Sequence, residues 1–380
     1  MKEYPKLPGP IALVLPSLQI GGAERLVTDL ARTFYRMKIP CYVVTLMGSG
    51  PMVERLPKGI HIDLGLFPKS AGFGKMKRMA SLPLFLPAVI SLAKWLHKER
   101  ISVLHSHLWP ADLVALPAAR LAKIPRVVVT QHDSIRLPSL FRNAKRYFLR
   151  WAHAVVSVSQ ETARFTERDF KVTPGKLRVI PNGIDLEELL PLGGVEWRQP
   201  PRIVCIGRFH PLKGQRVLLQ ALSILKSRTG NCPKIHLIGE GPELKNLEQF
   251  ASELELNESV FFAPTNPNIP ELLSSTDILV IPSLSEGLPL IVLEGIAAGK
   301  GIIASRVGGV QEILRDDEAI FFPPGNAEAL AAAISQAIYN PQDLKVKTER
   351  ACRRLFRESG KFDIQHVAKE YLSVYAGQGK

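Results

Sequence analysis

Two glutamates, Glu286 and Glu294, stand eight residues apart with an apolar run, Gly-Leu-Pro-Leu-Ile-Val-Leu, between them. Inside one continuous helix they would lie about 12 Å apart and point roughly 80° from each other, which is poor geometry for a shared proton or metal. The local signals give another arrangement. Gly287 interrupts the chain after a predicted strand at Ile278–Ile281, and Pro289 suits a first helical turn. Glu286 is therefore expected in the loop before a helix, and Glu294 in its second turn. Free N–H groups near the Gly287–Leu290 stretch, those of Gly287, Leu288 and Leu290, would suit an anion; Pro289 has none. An acid at Glu294, in an otherwise apolar helix, needs a partner. Two cations have a comparable setting. Arg208 and Lys213 follow the predicted strand Ile203–Ile206, in a loop flanked by Gly207 and Gly214 that leads to a helix. His132 follows the predicted strand Val127–Thr130, and strand ends are where such sheets hold ligands. His105 and His107 are read as facing opposite ways from their strand, which argues against a shared metal ion.

The elements that must position these residues alternate strand with helix. In the first half the predicted strands are Ile11–Leu15, Tyr42–Leu46, Val103–His105, Val127–Thr130 and Ala154–Ser157. A helix from Ala23 carries Leu26, Val27, Leu30, Ala31 and Phe34 at helical spacing. In the second half the predicted strands are Ile203–Ile206, Ile235–Ile238, Val260–Phe262, Ile278–Ile281, Gly301–Ala304 and Ala319–Phe322, with helices such as Gly214–Ser227 and Pro242–Leu254. This rhythm predicts an α/β chain made of two Rossmann-like, doubly wound domains with a cleft between them as the expected site. Turn formers at Asn182–Asp185 and Pro191–Gly194 mark the linker. The domains are placed at residues 1–185 and 186–363, and a last helix is predicted at Ile364–Tyr375. Gly239-Glu240-Gly241 is not a dinucleotide fingerprint, because Leu244 stands where the third glycine belongs.

An ordered set of motifs extends over nearly the whole chain: Gly21-Gly22-Ala23-Glu24, Val103-Leu104-His105-Ser106-His107, Pro181-Asn182-Gly183-Ile184-Asp185, Gly207-Arg208 through Lys213-Gly214, Glu286 with Glu294, and Val307-Gly308-Gly309 with Glu312. In this order they resemble the family-4 retaining glycosyltransferases of the two-Rossmann, GT-B type. Leu288 departs from the pattern, standing where Phe is common. The resemblance implies transfer of a sugar from a nucleoside diphosphate sugar, UDP before GDP, to a hydroxyl of a lipid-linked, lipopolysaccharide or exopolysaccharide glycan. It implies that Glu286 contacts donor-sugar hydroxyls and Glu294 the ribose hydroxyls. Arg208 and Lys213 would hold the diphosphate, Gly21 and Gly22 would let backbone approach it, and Gly207 and Gly287–Leu290 would line the donor site. Glu286, Arg208, Lys213 and His132 are the implied catalytic set, with His132 orienting or stabilising rather than attacking. No metal or other cofactor is implied. The N-terminal domain would take the acceptor, the C-terminal domain the donor, and the last helix would pack back on the N-terminal domain. A nucleotide-sugar epimerase or phosphorylase on the same fold, or a non-catalytic nucleic-acid or sugar-nucleotide binder, are the alternatives.

The 380 residues carry a net charge of +14 with 46 % hydrophobic and 22 % charged residues, which excludes disorder and collagen-like repeats. The excess is one-sided. Residues 1–200 hold 29 Lys and Arg against 15 Asp and Glu, and the remainder holds 20 against 20. Such asymmetry predicts that the first domain faces something anionic. Lys75, Lys77 and Arg78 precede an apolar run, and Arg142, Lys145 and Arg146 recur at helical spacing beside Phe141, Phe148 and Trp151. Basic residues among aromatics suit a membrane interface, so these six are expected on a membrane or acceptor surface. No nucleic-acid recognition motif accompanies the charge. Cys41, Cys205, Cys232 and Cys352 form no CxxC pair, which points to a reducing cytoplasm. The expectation is a cytoplasmic protein, peripheral on the cytoplasmic face of the inner membrane.

Overall fold

The computed structural model describes residues 5–67, 82–189, 197–266 and 268–378. They form two units, one of residues 1–183 with 363–380 and one of residues 184–362. The expected linker residues Pro191–Gly194, and Lys75, Lys77 and Arg78, lie outside the described residues.

The first unit runs β1 (Ile11–Leu15), α1 (Gly22–Arg36), β2 (Cys41–Thr45), β3 (His61–Asp63), α2 (Leu82–Lys98), β4 (Val103–His107), α3 (Trp109–Leu121), β5 (Arg126–Gln131), α4 (Ser139–Leu149), β6 (Ala154–Ser157), α5 (Gln160–Phe170) and β7 (Leu177–Val179). The second runs α6 (Leu186–Leu189), β8 (Ile203–Ile206), α7 (Gln215–Thr229), β9 (Ile235–Ile238), α8 (Leu244–Glu253), β10 (Val260–Ala263), α9 (Ile269–Ser274), β11 (Ile278–Ile281), α10 (Leu290–Ala297), β12 (Gly301–Ser305), α11 (Gly308–Ile313), β13 (Ile320–Phe322), α12 (Ala327–Tyr339) and α13 (Pro341–Arg357). The last helix, α14 (Ile364–Tyr375), belongs to the first unit.

Both sheets are parallel, with strand orders β3-β2-β1-β4-β5-β6-β7 and β10-β9-β8-β11-β12-β13. Their central strands are buried from end to end, as a sheet covered on both faces requires. The order reverses between β1 and β4 in one sheet and between β8 and β11 in the other. Loops leaving adjacent strands at a switch point part to opposite faces, and this opens the crevice where α/β folds hold ligands. Strands β3 and β7 have no apolar run to announce them. They are three-residue edge strands, largely half-exposed.

The basic stripe on α4 is not one surface. Lys145 is only 1 % exposed. It and Leu149, one turn on, form the inward side of α4. Its ammonium lies 2.8 Å from Asp112 Oδ2 on α3 and donates to Gln131 Oε1 at 2.6 Å. Asp112 also accepts from the Ser106 hydroxyl at 2.7 Å. The expectation that Lys145 faces a membrane is corrected: a buried acid on the neighbouring helix claims it. Arg142 and Arg146 are half-buried, and Arg146 Nε donates to the carbonyl of Asp169 at 2.6 Å.

Replacing Lys145 with Met leaves Asp112 charged and buried without its cation. The loss should be about 3–5 kcal/mol in urea denaturation. Adding Asp112→Asn should recover part of it. A single variant as stable as wild type would contradict the pairing.

Candidate active site

The switch point of the second sheet places the loop after β8 beside the loop after β11. Lys213 ends the first loop and Glu286 lies in the second. The Lys213 ammonium donates to both carboxylate oxygens of Glu286, at 2.7 and 2.8 Å. The Ser283 hydroxyl donates to Glu286 Oε1 at 2.7 Å, and the buried Ser305 hydroxyl donates to the Ser283 carbonyl. The Leu284 N–H donates to the Leu212 carbonyl at 2.8 Å, so backbone as well as side chains joins the loops. Their approach depends on Gly214. Its φ is +66°, and a Cβ there would run into the Pro282 carbonyl oxygen. Gly309 plays the corresponding part on the other side, where a Cβ would overlap the Gly287 carbonyl.

Glu294 is the fifth residue of α10 and only 2 % exposed, among the buried Leu290, Val292, Leu293 and Ile296. Pro289 caps α10 rather than entering its first turn. Gly287 and Leu288 are buried in the turn before it. Arg208 has an exposed side chain, while its carbonyl accepts from Gln215 Nε2 at 3.0 Å. The structure thus collects, within one unit, an exposed guanidinium, a half-exposed ammonium, a largely buried carboxylate and a second buried acid near a helix start. Carboxylates accept from hydroxyls and cations receive phosphate oxygens, so the set suits a ligand bearing both. Lys213 and Glu286, assigned separate tasks from sequence, are also partners of each other.

In the first unit, β1 and β4 flank the other switch point. Gly21 caps α1 with an extended backbone, and Gly22 opens the helix with an exposed surface. His105 and His107 lie on β4. Their ring centroids are 3.9 Å apart. The expectation that they face opposite ways is corrected: side chains two apart on a strand share a face. His105 is saturated, with Nδ1 at 2.6 Å from the Tyr375 hydroxyl and Nε2 at 2.7 Å from Thr130 Oγ1. Thr130 Oγ1 lies 3.2 Å from the Tyr371 hydroxyl. His107 Nδ1 lies 3.0 Å from Nε2 of His132, which follows β5. Burial, then the neighbouring His132, push the His105 ring well below the usual imidazole range. Burial, then the neighbouring histidines, do the same to His107. Burial and the Lys145 charge push His132 down to about 3. All three rings are therefore neutral near pH 7.

Sequence reasoning missed Asp112, Ser283, Tyr371 and Tyr375 as site supports. Asp112 carried a usable signal: it is an acid in the otherwise apolar start of α3, the reasoning applied to Glu294. Among the described residues, no group of three or more His, Cys, Asp or Glu side chains is placed to hold a metal ion. No described helix is long and apolar enough to cross a membrane.

Comparison with known proteins agrees in both units. Residues 20–188 match the family model described as Glycosyltransferase Family 4, and residues 196–354 match that described as Glycosyl transferases group 1. The chain is 31 % identical over 311 residues to a putative glycosyltransferase, EpsF, of Bacillus subtilis, covering 77 % of this chain and 78 % of that one. It is 26 % identical over 260 residues to the Escherichia coli UDP-Gal:alpha-D-GlcNAc-diphosphoundecaprenol alpha-1,3-galactosyltransferase, covering 63 % and 67 %. The fold is similar to that of Anabaena HepE in complex with UDP-glucose, with a TM-score of 0.79 at 20 % identity over 97 % and 99 % of the two chains.

The depressed histidines have a thermodynamic consequence. A group whose folded pKa lies below its unfolded value stabilises the fold fully above the unfolded value, near 6.5, and loses that contribution as pH falls toward the folded value. His105 and His107 should each contribute a slope of about 1.4 kcal/mol per pH unit below that point. Urea midpoints measured from pH 7.5 to 5 should therefore fall. A flat profile would contradict the neutral cluster.

Proposed function

The chain belongs to the family-4, group 1 glycosyltransferases, and from that premise we propose that it transfers a sugar from a UDP-sugar, with retention of configuration, to a hydroxyl of a glycan or glycolipid. That it is a glycosyltransferase using a nucleotide-sugar donor follows from its family. The observation that carries the assignment of roles is the meeting of Lys213, Glu286 and Ser283 at the switch point of the second sheet, with Arg208 and Glu294 in the same unit.

In this reading the second unit binds the donor. Glu294 takes the ribose hydroxyls and Glu286 the sugar hydroxyls. Arg208 and Lys213 hold the diphosphate, with Gly207 and the Gly287–Leu290 turn beside it. As the bond between the anomeric carbon and the phosphate oxygen breaks, negative charge grows on the departing diphosphate, and the two cations stabilise it more in the transition state than in the ground state. The acceptor hydroxyl attacks from the face the diphosphate leaves and gives its proton to the departing phosphate oxygen, so the configuration is kept. His132, being neutral, orients or stabilises by hydrogen bonding.

UDP is favoured as the nucleotide because the Escherichia coli relative is named for UDP-Gal and the Anabaena protein was solved with UDP-glucose. A polyprenyl diphosphate saccharide or a lipopolysaccharide acceptor fits the one-sided charge. The first unit takes it, docked on the anionic cytoplasmic face of a membrane. Support comes from its excess of Lys and Arg and from exposed apolar side chains, Leu140 at 71 % and Tyr147 at 54 % on α4 and Leu86 at 58 % on α2.

Transfer should be measured from UDP-glucose, UDP-galactose and UDP-N-acetylglucosamine into polyprenyl diphosphate saccharide in anionic vesicles, with the product anomer read by NMR. One donor should react with retention, and Arg208→Ala should lower kcat/KM about 100-fold or more. An inverted product, or full activity in Arg208→Ala, would overturn the reading.

A further inference from the structure

We propose that His107 is a positioning residue for His132: its Nδ1–H holds Nε2 of His132 and leaves His132 to donate from Nδ1 to an oxygen of the substrate. The inference rests on the reading of His132 as a residue of the reaction centre.

His107 is fully buried at the end of β4, with its ring between those of His105, 3.9 Å away, and His132, 5.2 Å away. His105 cannot take over its task, since Tyr375 and Thr130 already engage both His105 nitrogens. Contact between His107 and His132 runs through one shared proton. In one arrangement His107 Nδ1–H donates to Nε2 of His132. In the other, His132 Nε2–H donates, and neutral His107 must then carry its own proton on Nε2. That atom is buried and has no hydrogen-bond partner among the described residues. An N–H there would be an orphaned buried donor, which folded proteins nearly always avoid, whereas a bare ring nitrogen is an under-used acceptor, a lesser cost. The first arrangement is therefore assigned, and it fixes the His132 proton on Nδ1.

The backbone on either side of His132 is held separately. Gln131 Nε2 donates to the Asp133 carbonyl at 2.8 Å, and Lys145 holds Gln131 Oε1. Ring and main chain are thus restrained from opposite sides of the sheet. His132 is half-buried, and among the described residues its hydrogen bond is made through Nε2, so the Nδ1 N–H is the one left for a ligand. With Nε2 already accepting, His132 acts as a hydrogen-bond donor and not as a general base.

The test uses the full chain labelled with 15N-histidine. In the resting wild-type enzyme, NMR should show His132 protonated on Nδ1. His107→Phe keeps a ring and removes the donor. It should lower kcat by about tenfold to a hundredfold, as misplacing a group at the reacting centre does, with the donor KM little changed. His107→Asn places an amide N–H near the position of Nδ1 and should recover most of that loss. A wild-type His132 protonated on Nε2 overturns the proposal, whether or not any variant folds. Equal impairment of both variants overturns it too. Undiminished activity in His132→Ala would instead overturn the reading on which it rests.

Discussion

The contact between Lys213 and Glu286 joins two loops that the strand order alone merely brings near each other. Glu286 has a side chain only 9 % exposed, and a carboxylate so placed is costly without a cation and hydrogen bonds. Lys213 and Ser283 supply both. Lys213 keeps 35 % of its side chain exposed, so the pair has one fixed member and one that still reaches solvent. Everything around it makes this contact sterically possible. Gly214 lets one loop pass the Pro282 carbonyl, and Gly309 lets α11 sit under the turn that carries Glu286. The site is thus a property of two loops held at a fixed separation, and α10 hangs Glu294 from the second of them.

The first unit solves a different problem with the same materials. At its centre three histidines are kept neutral and a buried lysine is paired. His105, His107 and His132 are uncharged because burial, and charges beside them, disfavour the protonated ring. On the other face of β4 and β5, Lys145 is charged and buried but is met by Asp112 and Gln131. The two arrangements are linked. A buried cation next to His132 is one reason that ring stays neutral, and a neutral ring can share a hydrogen bond with a neighbour where two imidazolium rings would repel. Helix α14 completes the arrangement by bringing Tyr371 and Tyr375 to the buried end.

Much of this was legible in the chain. Strands such as Ile11–Leu15 and Ile278–Ile281 are continuous apolar runs, and a parallel sheet buried on both faces demands such runs. The helix Ile364–Tyr375 followed from its spacing. The loop position of Glu286 and the helical position of Glu294 followed from Gly287 and Pro289. What escaped was pairing across the sequence. Lys145 matched a basic stripe because helical spacing says which residues share a side and not which side faces the core. Asp112, thirty-three residues earlier, decides that. The relation of His105 to His107 was misjudged although the period-two rule fixes it. The edge strands β3 and β7 gave no signal because a half-exposed three-residue strand needs none.

In the proposed reading, the second unit binds a nucleotide sugar through Glu294 and its neighbours. Calorimetric titration of UDP-, GDP- and dTDP-sugars into the wild-type protein and into Glu294→Ala tests it directly. Wild type should bind a UDP-sugar, and Glu294→Ala, still folded by circular dichroism, should show no measurable heat with it. Binding of equal strength in both proteins, or no binding of any nucleotide sugar to wild type, would contradict it.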